Sequence, residues 1–100
     1  MKSGYNIKWT DEALNNLKLI TDYLITKWTE RELKIFYNKL EKNLTIISKN
    51  PFVFPESGLK KTVRRSVLSK QTTIYYQIKK ENVTILSLFD NRRDSKSIKL

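Results

Sequence analysis

Two residue types that often perform chemistry are missing, because the 100-residue sequence contains no cysteine and no histidine. Without cysteine the chain can form neither a disulfide nor a thiolate zinc site. Without histidine it lacks the usual general base near neutral pH and the commonest metal ligand. Any hydrolytic or transfer reaction would have to use Lys, Arg, Tyr, Ser, Asp or Glu, and we expect neither a metal nor another cofactor.

Glycine and proline are scarce, with two of each, whereas 39% of the residues are hydrophobic. A chain of this length and composition is typical of one folded unit, which predicts a single domain over residues 1–100. No segment approaches the roughly 18 consecutive apolar residues that a membrane span needs. Residues 1–5 are polar and lack the apolar core of a signal peptide, so we expect a cytoplasmic location and no membrane partner.

Acidic residues are half as numerous as basic ones, ten against 20, and the formal net charge is +10. The excess is uneven, since residues 1–50 carry a net charge of +3 and residues 51–100 carry +7. A positive charge concentrated in one half of a chain favours binding to nucleic acid or to an acidic protein over a merely solubilising surface.

The hydrophobic pattern predicts one strand, two helices and three further strands. Residues 5–9 alternate between apolar and polar, as a half-buried strand does. Thr10 and Thr29 are good N-cap residues before apolar stripes with helical spacing, which predicts helices over about 11–27 and from 29 to the break at Asn50-Pro51. Residues 63–68, 72–79 and 83–89 resemble strands joined by hairpin turns. The order β-α-α-β-β-β predicts an α+β fold with a helical hairpin on one face of an antiparallel sheet.

Cations cluster at two places in the second half of the chain. They are Lys60, Lys61, Arg64 and Arg65 at the start of the second strand, and Arg92 and Arg93 after the last strand. We expect these two strand ends to lie at the same edge of the sheet, so that the cations converge on one surface with Lys79 or Tyr75 between them. Only one of Arg64 and Arg65 can reach that surface, because side chains alternate along a strand. Protection of a sheet edge against aggregation is the alternative explanation.

Tyr75 and Tyr76 are neighbours on the third strand and therefore face opposite sides of the sheet. Tyr76 shares its side with Ile74 and Ile78, which predicts a place in the core. Tyr75 is a candidate for stacking on a nucleic-acid base, although a cross-strand aromatic contact on the sheet surface explains it equally well.

These motifs, taken in order, resemble the RelE/ParE toxin superfamily over nearly the whole chain. The matching segments are Ile7 to Ala13, Ile20 to Leu24, Leu44 to Pro51, Gly58 to Arg65, Thr73 to Ile78 and Val83 to Asp94. The resemblance implies the RelE/ParE fold and the toxin role in a type II toxin-antitoxin (plasmid stabilisation) system. It also implies an acidic antitoxin as a partner.

The resemblance implies two possible activities. RelE-like members cleave messenger RNA on the ribosome, and ParE-like members inhibit DNA gyrase without a nuclease site. For a nuclease, Lys60 or Lys61 would be the base, Arg65 or Arg64 would hold the phosphate, and Arg92 would stabilise charge in the transition state. The expected nucleic-acid contacts are Arg64, Tyr75, Lys79 and Arg93.

The end of the sequence bears on which activity to expect. Residues 94–100 contain no Tyr or His, although many RelE-like nucleases have a catalytic one there. We therefore expect a ParE-like growth inhibitor directed at gyrase. A RelE-like ribosome-dependent endoribonuclease and a non-toxic nucleic-acid-binding relative are the alternatives, so whether the protein is an enzyme stays open.

Overall fold

Six elements follow one another in the predicted order β-α-α-β-β-β. The structure is a computed structural model that describes residues 4–27, 29–60 and 62–91. The elements are β1 (Asn6–Trp9), α1 (Asp11–Lys27), α2 (Glu30–Lys49), β2 (Val63–Val67), β3 (Thr72–Lys79) and β4 (Asn82–Asp90). The α+β class, with two helices packed on one sheet, is confirmed.

Both helices begin at the threonines that the sequence indicated. The Thr10 hydroxyl accepts a hydrogen bond from the Ala13 N–H at 3.0 Å, which caps α1. The same hydroxyl lies 3.1 Å from the carbonyl oxygens of Ile85 and Leu86, so the cap also ties α1 to β4. Thr29 caps α2 by accepting from the Glu32 N–H at 3.4 Å. An N-cap side chain that satisfies an unpaired helix N–H stabilises each start.

Replacing Thr10 by Ala is expected to lower the free energy of unfolding by about 1 kcal/mol, the usual cost of losing an N-cap. Chemical denaturation of the purified protein would measure this change. Thr45→Ala is the matched control, because the exposed Thr45 hydroxyl donates only to the Glu41 carbonyl within α2. Equal losses in the two variants would contradict a special role for Thr10.

Within the described part of the chain, the strands form one sheet in the order β1-β4-β3-β2. β3 runs antiparallel to both β2 and β4, as predicted, but β1 pairs in parallel with β4, so the sheet is mixed. The reason lies in the helical hairpin, which returns the chain to the end of the sheet where β1 starts. The Tyr5 N–H donates to the Ser48 carbonyl at the end of α2, at 2.7 Å. β2 then starts from that end, and β4, two turns later, runs in the same direction as β1.

The sheet carries a buried cluster on each face. On the helix side, Ile47 of α2 packs with Ile74, Tyr76 and Ile85 in the main core. A smaller cluster of Val63, Tyr75 and Phe89, with Leu86 beside it, is built from side chains that do not join this core. The face away from the helices therefore combines this apolar cluster with the exposed cations Lys8, Arg65 and Lys79.

None of the helices in the described residues is both long and apolar enough to span a membrane.

Candidate functional site

The start of β2 and the end of β4, which the sequence predicted to meet, lie at opposite ends of the sheet. Val63, at the start of β2, pairs with Gln77, which in turn pairs with Thr84 near the start of β4. Asp90, at the end of β4, pairs with Thr72 at the other end of β3. The first and third strands of a meander run in the same direction, so the start of β2 and the end of β4 lie about 17 Å apart, five residues along β3. The prediction that these strand ends meet is wrong.

The chain leaves β4 beside the β2–β3 turn. Asn91 is held there by three hydrogen bonds. Its N–H donates to the Gln71 carbonyl at 2.7 Å, its side-chain amide donates to the Lys70 carbonyl at 3.2 Å, and its side-chain oxygen accepts from the Thr73 hydroxyl at 2.7 Å. The residues that follow, Arg92 and Arg93, lie outside the described part of the chain, as does Lys61. Their predicted roles stay predictions.

Arg64 and Arg65 point to opposite faces, as predicted, and Arg64 faces the helix side. Arg64 is the strand partner of Tyr76, and its Nη1 donates to the carbonyls of Phe54 at 2.6 Å and Phe52 at 3.3 Å. Its guanidinium also lies 5.2 Å from the centre of the Phe52 ring. Arg64 thus holds the loop after α2, and the exposed Arg65 is the arginine on the other face, opposite Tyr75.

Tyr75 is only 8% exposed. Its ring meets the Phe89 ring edge to face, with the centroids 6.4 Å apart. Stacking on a base needs an exposed ring face, whereas this ring is covered. Tyr75 instead makes a cross-strand aromatic contact, which was the alternative explanation for this residue. Lys79 is exposed at the end of β3.

Tyr76 lies in the core, which confirms its predicted place. The ring is fully buried, and its hydroxyl donates to the buried Pro51 carbonyl at 2.6 Å. Burial raises the pKa of Tyr76 to about 12, and the nearby positive charge of Arg64 opposes part of that rise. At physiological pH the phenol is therefore a neutral hydrogen-bond donor with a structural role.

The loop between α2 and β2 presents apolar side chains to solvent, a feature that the sequence analysis did not single out. Phe52 is 56% exposed and Val53 is 55% exposed, while Phe54 packs against the main core. The signal in the sequence was the run Phe-Val-Phe between two prolines, because a tightly bounded loop cannot turn all three side chains inward.

A cleft of about 630 Å³ lies between the helical hairpin and the other end of the sheet. Apolar side chains from α1 and α2 form its walls, and three of them, Leu19, Tyr23 and Ile35, remain substantially exposed. Lys39 and Lys70 lie at the cleft, and so do the carboxylates of Glu32 and Asp90. The sequence did not predict this cleft, because leucine and isoleucine are typical core residues and nothing in the sequence marked Leu19 and Ile35 as exposed.

In the described residues, no three or more Asp or Glu side chains lie close enough together to hold a metal ion. The chemistry available in this part of the chain consists of exposed cations at both ends of the sheet, an apolar loop tip and an apolar cleft. Such groups suit binding to other macromolecules.

The chain thus folds as a helical hairpin on one face of a four-stranded mixed sheet, joined in the order β-α-α-β-β-β, which is the arrangement expected of the RelE/ParE superfamily. Residues 7–95 match the family described as the ParE toxin of the type II toxin-antitoxin system parDE, and the chain belongs to this family. The protein is therefore the toxin of a type II toxin-antitoxin system. No curated protein sequence matches it closely enough to add to this assignment.

Solved structures share the fold. The chromosomal ParDE system of P. aeruginosa superposes with a TM-score of 0.72 at 15% identity, covering 86% of this chain and 95% of that one. The E. coli DinJ-YafQ toxin-antitoxin complex gives a TM-score of 0.62 at 14% identity, with 88% and 93% covered. The YoeB dimer of Staphylococcus aureus gives 0.60 at 13% identity, with 85% and 94% covered.

Proposed function

We propose that this toxin inhibits growth by acting on DNA gyrase and not by cutting messenger RNA. The observations that carry the proposal are that the start of β2 and the end of β4 lie at opposite ends of the sheet, and that Arg64 and Tyr75 have structural roles. Lys60 lies at the start of β2, whereas the chain leaves β4 at Asn91, at the other end. Arg64, between them in the sequence, is engaged with the loop carbonyls.

Cleavage of RNA by the 2′-hydroxyl needs a base and a charge-stabilising group around the same phosphate. Each must come within about 3 Å of the atoms that it serves. An Arg64 that donates to two loop carbonyls is not available to hold a phosphate, and a covered Tyr75 cannot stack on a base. Membership of the ParE family supports the same choice.

Induced expression in a bacterial host would test this function, with growth, transcript integrity and plasmid supercoiling followed together. We expect growth arrest, intact transcripts and disturbed supercoiling. The purified protein should also inhibit purified gyrase in a supercoiling assay that contains no ribosome. Growth arrest with cleavage of translated transcripts would contradict the proposal and favour the RelE-like alternative.

The variants Lys60→Ala and Arg65→Ala separate the two activities further. A nuclease that used these residues as base and phosphate clamp would lose on the order of 10²–10³-fold in activity. For a gyrase inhibitor we expect each variant to keep its toxicity to within tenfold, because both side chains are exposed and their removal leaves the core intact. The dose of inducer needed to stop growth measures the difference.

We further propose that the neutralising partner is an acidic antitoxin, and that a helix of it fills the cleft between the hairpin and the sheet. The apolar walls would receive hydrophobic side chains spaced along one face of such a helix. The net charge of +10 attracts an acidic partner over a distance and speeds its binding. Lys39 and Lys70 lie where they can meet its carboxylates.

A further inference from the structure

A second surface lies at the end of the sheet away from the cleft. It comprises the exposed Lys49, Lys60, Lys79 and Lys80 together with the tip of the α2–β2 loop, Phe52 and Val53, and we name it the basic end. We infer that the basic end binds double-stranded DNA directly, with the lysines on phosphates and the loop tip against the groove. The inference rests on the proposed function, because gyrase works on DNA and a toxin that holds DNA would be retained at its target.

Hydrogen bonds of the backbone bring the parts of the basic end together. The Asn6 N–H donates to the Glu81 carbonyl at 2.9 Å, so the β3–β4 turn, which contains Lys80, lies beside the start of β1. The Tyr5 N–H donates to the Ser48 carbonyl at 2.7 Å, so the end of α2 lies beside the same strand start. The end of α2 and the β3–β4 turn therefore share one end of the molecule.

The start of β2 completes this end. The Gln77 side-chain amide donates to the Thr62 hydroxyl at 2.7 Å, and the Val63 N–H donates to the Lys60 carbonyl at 3.1 Å. Lys60 therefore lies beside the end of β3, where Lys79 is.

Positive charge dominates the basic end. Four exposed lysines share it with two exposed carboxylates, Glu56 and Glu81. Lysines in such a group bind the phosphates of DNA and release counterions, whereas the centre of a protein–protein interface is usually poor in lysine. The lysine-rich charge of the basic end therefore favours DNA over a protein as the partner that binds there.

The loop tip is held rigidly although it is exposed. The Val53 N–H donates to the Asn50 carbonyl at 3.2 Å, and Arg64 holds the carbonyls on either side of Val53. The Phe52 ring also meets the Tyr5 ring edge to face, with the centroids 6.5 Å apart. An apolar side chain fixed in an exposed position binds without a large loss of conformational entropy. Proteins that contact the minor groove often place such an apolar wedge among cations.

The lysines are tested by measuring the affinity of the purified protein for a fluorescent 20-base-pair duplex by anisotropy, between about 50 and 200 mM NaCl and without gyrase. Each phosphate contact contributes about 0.9 to the slope of log affinity against log salt. The double variant Lys49→Gln/Lys79→Gln should therefore lower that slope by about 1.8. The control Lys18→Gln/Lys34→Gln changes the net charge equally on exposed helical positions and should leave the slope unchanged. Equal effects of the two pairs, or no binding by the unmodified protein, would overturn the inference.

The loop tip is tested in the same assay. We expect the losses of affinity from Phe52→Ala and Val53→Ser to add up to about tenfold, which is typical of one aromatic contact to a base. The salt slope should stay unchanged. Val67→Ser is the matched control, because Val67 is 62% exposed on β2 away from the loop. If Phe52→Ala lowers the melting temperature, Val53→Ser alone decides, since its side chain is not in the core. Wild-type affinity in the tip variants would refute the role of the tip.

A gyrase supercoiling assay on the unmodified protein keeps this inference apart from the proposed function. Inhibition of gyrase by a protein that does not bind the duplex would overturn the DNA contact alone. Binding to the duplex without inhibition of gyrase would support the contact and contradict the gyrase proposal.

Discussion

Cells that make the Leu19→Asp variant are expected to stop growing even when the antitoxin encoded with the toxin is produced in excess. Leu19 lines the cleft and is 59% exposed, so an aspartate there can be hydrated in the free toxin. A helix seated in the cleft would lose the apolar contact of Leu19 and would have to desolvate the new carboxylate, at a cost of several kcal/mol. Each 1.4 kcal/mol weakens binding tenfold, so we expect the affinity for the antitoxin to fall at least 100-fold.

The measurement is growth during co-expression, together with the affinity of the purified pair. Leu14→Asp is the matched control, because Leu14 lies on the same helix, is 50% exposed and is not a cleft residue. Cells with Leu14→Asp and antitoxin should continue to grow. Full neutralisation of Leu19→Asp would show that the antitoxin binds elsewhere.

Replacing Tyr76 by Phe is expected to lower the free energy of unfolding by about 1–3 kcal/mol, the cost of leaving a buried carbonyl without its hydrogen bond. The variant keeps the ring, so the core packing is retained and only the contact to the Pro51 carbonyl is lost. Urea denaturation near pH 8 measures the difference. Tyr23→Phe is the control, since Tyr23 is 42% exposed on α1.

The unmodified protein and Tyr76→Phe should also differ in how their free energy of unfolding depends on pH. The pKa of Tyr76 is raised to about 12 in the folded protein, against about 10 for an unfolded tyrosine. Between these values the unfolded chain loses the proton and the folded chain keeps it, so the stabilisation is complete below pH 10 and is lost as the pH rises to 12. The loss is on the order of 2 kcal/mol. Tyr76→Phe lacks this proton, so its stability deficit relative to the unmodified protein should shrink over that range. A constant deficit would contradict the assignment.

Local signals were enough to predict the elements. Thr10, Thr29 and the Asn50-Pro51 break mark the helix boundaries because capping and the proline restriction act within a few residues. The direction of β1 could not be predicted in this way. It depends on the partner strand β4, whose residues lie 76 positions later in the chain.

Predictions about the site succeeded where alternation alone decides and failed where tertiary geometry decides. Alternation separated Arg64 from Arg65, but the loop carbonyls of Phe52 and Phe54 determine that Arg64 is the one turned to the helix side. The expected convergence of Lys60 with the end of β4 failed because it requires the directions of three strands at once. The cleft was not predicted because the sequence alone does not distinguish an exposed leucine such as Leu19 from a buried one.

The parallel pairing of β1 with β4 also sets an order of events during synthesis. β1 leaves the ribosome first, yet the strand to which it bonds, residues 82–90, is made more than 70 residues later. Closing so long a loop is slow and entropically costly, and the helical hairpin forms earlier from local contacts. The cleft, which needs Leu88 and Asp90 of β4 as well as both helices, is therefore assembled only when that strand has been made. An antitoxin that binds there would recognise the toxin at the moment it becomes folded, and would have no complete site on a nascent chain.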